Sequence, residues 1–357
     1  MRGRPNGRTW ILLIFLSAGC AAGADDLNAG GLTFEERCAQ PAVVKCVGFD
    51  SQAQTDRFIF PPYGMTVKRA RVVTDIKASG AGSLCFEIPS NTGADTSGSF
   101  WQNFSDDLSV QFSEGEEFYV QWRQRFSKEF LDTFYEGGGG WKQAIIGEGD
   151  RPGKTVYSCT ELEIVVQNTY QRGAAQMYHS CGGKDGRYEP LEGQGSWVPY
   201  KADQWMTFQV YVKIGSWYRN DRRYHRDSTI RLWVAEAGQP SRLVVDQTHY
   251  DIVNTQPAAR YGKIWLLPYH SGKSAAQSHA VGYTWYDDLI VSRTGFPIRL
   301  PDTGSSEGLH AAAVLAADFE QGVRDLPERA YAHGIHQDGE DVLVLDHRLA
   351  QTLEHRS

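Results

Sequence analysis

Short runs rich in β-branched and aromatic residues recur along the chain from Phe34 to Leu300. The clearest are 118–126 (FYVQWRQRF), 162–166 (LEIVV), 208–214 (FQVYVKI), 229–234 (TIRLWV) and 243–245 (LVV). Glycine-rich breakers at Gly137–Gly140 and Gly182–Gly186 separate them, and no helical period persists beyond a few turns. This pattern predicts an all-β domain, and strands at this spacing in a domain of this size predict a two-sheet antiparallel jelly roll. The last strongly patterned stretch, Lys263 to His270 followed by Gly282 to Ser292, reads as a closing strand pair. Because side chains alternate across a strand, Lys263, Trp265 and Tyr269 are expected on one face, opposite Ile264 and Leu266. A cation, an indole and a phenol together suggest a sugar-binding groove.

The two ends are patterned differently. Residues 1–20 carry a basic region (Arg2, Arg4, Arg8), a short apolar run (Trp10 to Phe15) and small residues leading to Cys20. Such an order predicts an export signal, since the apolar run is too short to span a bilayer. Cys20 after small residues is similar to the lipobox of bacterial lipoproteins, which implies a lipid anchor in the outer membrane; cleavage without lipid would leave a periplasmic or extracellular protein. Residues 21–33 are small and polar, as in a flexible tether. Residues 34–300 form the predicted jelly-roll domain. The tail, 301–357, holds eleven Asp/Glu against four Arg and five of the ten His, and reads as a partly disordered extension or a truncated module.

Composition narrows the partners. A net charge of −7 argues against nucleic acid, while 10 Trp, 17 Tyr and 37 Gly suit a turn-rich β-protein with aromatic binding surfaces. In an oxidising compartment the economical cysteine pairing is Cys38 with Cys46 and Cys159 with Cys181, leaving Cys85 as a buried thiol. No CxxC, HExxH or EF-hand spacing occurs.

In chain order, Gly48-Phe-Asp50, Phe118 to Phe126, Trp141 to Ile146, Trp205 to Gly215, Ile230 to Val234, Lys263 to His270 and Trp285 to Ser292 form a succession that resembles the concanavalin A-like jelly-roll polysaccharide lyases of the alginate-, glucuronan- and heparin-lyase type. Two departures stand out. The alginate-lyase triplet Gln-Ile-His is here Gln143-Ala144-Ile145, and the Lys-x-Gly-x-Tyr strand is represented by Lys263 to Tyr269 without the Gly. The resemblance implies cleavage of a uronic-acid polymer by β-elimination, with no cofactor required for the chemistry. Such a site neutralises the uronate carboxylate and holds a base and an acid within hydrogen-bond reach.

Gln143 and Asn168 are the candidate neutralisers, His179 the candidate base and Tyr269 the candidate acid. Arg123, Lys263, Trp265, Tyr178 and His270 are candidate contacts to the acidic polysaccharide. Asp288 with Asp50 is a candidate structural Ca²⁺ site, by analogy with the superfamily; pairing of the aspartates with Lys or Arg is the competing account. Two other functions stay in view. One is a non-catalytic carbohydrate-binding or adhesion protein on the same fold. The other is a glycoside hydrolase using Glu161 and Glu163, although the laminarinase-type pattern Glu-x-Asp-x-x-Glu is incomplete here.

Overall fold

The structure, a computed structural model, describes residues 32–295 apart from 137–139, 158–161, 169–172, 181–188, 191–196, 217–224, 238, 251 and 253–258. The segment predicted as an export signal, most of the predicted tether, the acidic tail, Glu161, Cys159 and Cys181 lie outside the described residues. Among the described residues, fifteen strands follow in chain order: β1 (Val43–Val47), β2 (Ile59–Phe60), β3 (Arg71–Val73), β4 (Ser83–Ile88), β5 (Ser99–Asn103), β6 (Glu117–Phe126), β7 (Lys142–Glu148), β8 (Glu163–Asn168), β9 (Ala175–Ser180), β10 (Glu189–Pro190), β11 (Trp205–Lys213), β12 (Ser228–Glu236), β13 (Arg242–Tyr250), β14 (Tyr261–Leu266) and β15 (Gly282–Ser292). They build two antiparallel sheets packed face to face. The first runs β13-β12-β11-β6-β15-β4-β3, with β1 also on β15; the second runs β10-β9-β8-β7-β14-β5-β2. This is the expected β-sandwich jelly roll.

Alternation explains the core. In β6 the residues Phe118, Val120, Trp122 and Phe126 are fully buried between the sheets, and β11 sends Met206, Phe208, Val210 and Val212 to meet them. The second sheet contributes Ile164, Val166, Met177, Ile264 and Leu266. A polar cluster crosses this interior. Gln143 donates to Gln124 Oε1 at 3.0 Å and accepts from the Tyr200 hydroxyl at 2.6 Å, while the Tyr286 hydroxyl donates to the Gln143 carbonyl at 2.8 Å. Each group is satisfied, as burial demands.

A short helix, α1 (Phe34–Cys38), is closed by a Thr33–Glu36 capping box and tied to β1 by the Cys38–Cys46 disulfide. Cys85 is a buried free thiol, pushed up to about 12 by desolvation. Both findings agree with the cysteine reading. Among the described residues no helix is long and apolar enough to cross a membrane.

Candidate functional site

The outer face of the seven-stranded sheet carries three rows of side chains, because residues paired across antiparallel strands share a face. The first row runs Glu163, Gly147, Lys263, Asn103; the second Tyr178, Val165, Ile145, Trp265, Trp101; the third Gln176, Gln167, Lys142. The third row continues to Tyr269, whose ring lies 4.9 Å beneath the Lys142 ammonium and whose carbonyl accepts the Lys142 N–H at 2.8 Å.

The first row is closed. Lys263 has no exposed surface: its ammonium pairs with Asp150, donates to the Val156 carbonyl at 2.6 Å, and sits 4.4 Å from the Trp101 ring centre and 5.4 Å from that of Trp265. Burial lowers the Lys263 pKa and the Asp150 carboxylate opposes that shift. Asp150 also accepts from Asn103 at 2.9 Å and from the Val156 N–H at 2.9 Å, so the pair clamps the 149–156 segment against the sheet. The expectation that Lys263 contacts polysaccharide is corrected, since its charge is spent internally.

The second row is a satellite core, with Ile145, Val165, Tyr178 and Trp265 buried together. The Trp265 indole lies over Gly147, where a Cβ would stand 2.3 Å from its ring. Trp265 and Tyr178 do lie on the outer face, but at 8% and 5% exposure they form its floor rather than an open contact. Toward the rim the aromatics open out: Phe60 stacks on Trp101 at 4.1 Å, and Tyr157, 76% exposed, meets Trp101 edge-on at 6.0 Å.

The third row is polar and half-buried at Gln167, Lys142 and Tyr269. Among the described residues it is the row that presents amide, ammonium and phenol groups together.

The set formed by Gln143, Asn168, His179 and Tyr269 does not assemble. Between Lys142 and Ala144 the β7–β8 register shifts, and this bulge turns Gln143 into the interior against Gln124 and Tyr200. Asn168, at the end of β8, keeps the inward parity of Ile164 and Val166 and lies in a cleft between the sheets. His179 shares the inward face of β9 with Met177, 6.2 Å from the Tyr250 ring. It is 1% exposed, with neither ring nitrogen hydrogen-bonded, and desolvation pushes its pKa down to about 4. A base there cannot reach a polymer. His270 is likewise enclosed, by Phe130 and Tyr135; its Nδ1 lies 2.7 Å from the Pro268 carbonyl, and burial drives it down to about 3.

Arg123 stands on the outer face of the opposite sheet, 3.5 Å from Asp288, which Arg37 also meets at 3.1 Å. Two guanidinium groups and the Ser79 hydroxyl therefore occupy Asp288, while Asp50 accepts the N–H groups of Ala81 and Gly82. The aspartates are committed to separate partners, so the Ca²⁺ expectation is corrected to ion pairing and turn capping. Among the described residues no cluster of His, Cys, Asp and Glu could hold a metal.

Sequence reading missed Lys142, Gln167 and Gln176. Lys142 and Gln167 each adjoin a residue that was chosen, and a one-residue step in a strand exchanges faces. The signal was the parity of β8, on which Gln167 opposes the apolar Ile164 and Val166.

No family profile matches this chain, and no curated protein sequence matches it. Several solved structures are similar in fold. An alginate lyase from Aplysia kurodai is 12% identical, with a TM-score of 0.48, over 70% of this chain and 98% of that one. An endo-β-1,4-glucuronan lyase from the fungus Trichoderma reesei is 12% identical, with a TM-score of 0.43, over 66% of this chain and 90% of that one. An alginate lyase from a Chlorella virus is 12% identical, with a TM-score of 0.42, over 71% of this chain and the whole of that one.

Proposed function

We propose that the protein binds an acidic polysaccharide across the outer face of its seven-stranded sheet and cleaves it by β-elimination at the Gln167–Lys142–Tyr269 row. The observation that carries this reading is the gathering of an amide, an ammonium and a phenol at one half-buried edge of a face whose rim is aromatic. In this reading the Gln167 amide and the Lys142 ammonium bind the uronate carboxylate, and so stabilise the negative charge that develops when C5 loses its proton. The Tyr269 oxygen, entering as phenolate, takes the C5 proton and then returns it to the leaving oxygen. The C5–H electrons form the C4–C5 double bond, the C4–O bond breaks, and the leaving oxygen takes a proton. Phe60, Trp101 and Tyr157 offer flat apolar faces to neighbouring rings. A substrate of this kind lies outside the cytoplasm, in keeping with an export signal at 1–20, lipidation at Cys20, a tether over 21–33 and a catalytic domain over 34–300.

The test is ultraviolet absorbance from unsaturated uronate after incubation with alginate, glucuronan and heparinoid polymers. Activity on at least one polymer, abolished by Lys142→Ala and by Tyr269→Phe, is the expected result. Retardation in polymer-containing gels without any absorbance would replace the lyase with a non-catalytic carbohydrate-binding protein. Lipidation is checked by labelled fatty acid incorporation that Cys20→Ser removes.

A further inference from the structure

Beside the third row, at the ends of β7 and β8, a cleft of about 430 Å³ opens between the two sheets. Its volume falls within the range of small-molecule sites, roughly 300–1,000 Å³. The walls are aromatic: Trp141, Tyr200 and Phe134. Trp141 and Tyr200 pack against each other at 4.9 Å, and Phe134, 69% exposed, flanks the opening. Asn168 also lines the cleft. It is 4% exposed, and its Oδ1 has no hydrogen-bond partner among the described residues. A buried amide oxygen left without a donor is costly, and a ligand hydroxyl entering the cleft would satisfy it. Asp132, at the rim, is ion-paired with Lys128, and among the described residues no Lys or Arg lines the cleft. The lining therefore offers no cation to hold a uronate carboxylate.

We propose that this cleft is a saccharide subsite for a single uncharged, hydroxyl-bearing sugar ring. The ring stacks on the exposed Phe134, over a floor formed by Trp141 and Tyr200 at 2% and 8% exposure, and donates a hydroxyl to Asn168. Aromatic faces suit the C–H side of a pyranose, and one aimed acceptor among them gives orientation, as in small-molecule sites generally. This site is chemically opposite to the Lys142 row, which gathers a cation for an anion. It stands whether or not that row eliminates, because it rests on a different cavity and different side chains.

The test is isothermal titration calorimetry of the full chain with uncharged disaccharides (cellobiose, mannobiose, xylobiose, galactobiose) and with a uronate disaccharide. At least one uncharged ligand is expected to bind. Asn168→Leu and Phe134→Ala should each weaken it by about tenfold, the scale of one lost hydrogen bond or aromatic contact. Binding of that ligand should persist in Lys142→Ala. Phe134 is exposed, so Phe134→Ala reports on the cleft even if Asn168→Leu unfolds, which thermal melting would reveal. Absence of binding by every uncharged disaccharide overturns the proposal, as does binding that neither variant weakens. Tighter binding of the uronate disaccharide, lost in both cleft variants, would also overturn it.

Discussion

Removing the Asp150 carboxylate should destabilise the domain far more than its place in a loop suggests. Lys263 has no exposed surface, and among the described residues Asp150 is its only ion pair, with the Glu148 carboxylate adding a weaker attraction. Asp150→Ala therefore leaves a fully buried ammonium with the Val156 carbonyl and two aromatic faces, and also strips an acceptor from Asn103 and from the Val156 N–H. Breaking a buried pair from one side costs about 3–5 kcal/mol, equivalent to a melting-point drop of roughly 6–20 °C for a domain of this size. Asp150→Ala with Lys263→Met removes both charges and should return to within about 2 kcal/mol of the parent, since apolar replacement of a buried pair is often close to neutral. The assay is urea unfolding of the parent, both single variants and the double.

The pH dependence has a definite sign. Desolvation already lowers the Lys263 pKa, and without Asp150 it falls further. The unfolded chain then binds a proton that the folded chain does not, so the Asp150→Ala deficit shrinks as pH rises toward about 10, the unfolded lysine value. A loss below about 1 kcal/mol in Asp150→Ala, or a double variant as unstable as the sum of the singles, would refute the clamp.

Three other outcomes follow from particular contacts. Burial, and then the charge of Asp288, push Asp287 up to about 7. The folded chain therefore keeps a proton that the unfolded chain loses near pH 4, and stability should decline from about pH 4 to about 7; urea titrations of Asp287→Asn should show that decline gone, with no gain at neutral pH, because both Asp287 oxygens accept backbone N–H groups (Ala78 and Ser79 on one, Asp288 on the other) and an amide NH2 cannot. Gly147→Ala places a methyl 2.3 Å from the Trp265 ring and should cost about 1–3 kcal/mol, with a changed near-ultraviolet circular dichroism band. Cys38→Ser with Cys46→Ser opens a loop of sequence separation 8 and should cost about 2.5 kcal/mol by chain entropy, measured by urea unfolding against the reduced and oxidised parent.

Local sequence determined the scaffold. Alternation along 118–126, 208–214 and 229–234 specified strands with a buried face, and a buried face admits few arrangements other than two stacked sheets. The spacing of Cys38 and Cys46 indicated their bridge, and composition set the aromatic character of the surface. Placement of the site was decided by features that alternation cannot carry. A single bulge between Lys142 and Ala144 turned Gln143 inward and left Lys142 outside. Asn168 and His179 kept strict parity and so faced the core, although their chemistry suggested a site. Lys263 did take the expected face, yet the 149–156 segment supplied Asp150 and Val156 to enclose it. Asp288 met Arg37 and Arg123 from elements distant in the chain. Periodicity reports which residues share a face. Only the folded chain shows what covers that face, because the desolvating and neutralising groups come from segments far apart in sequence.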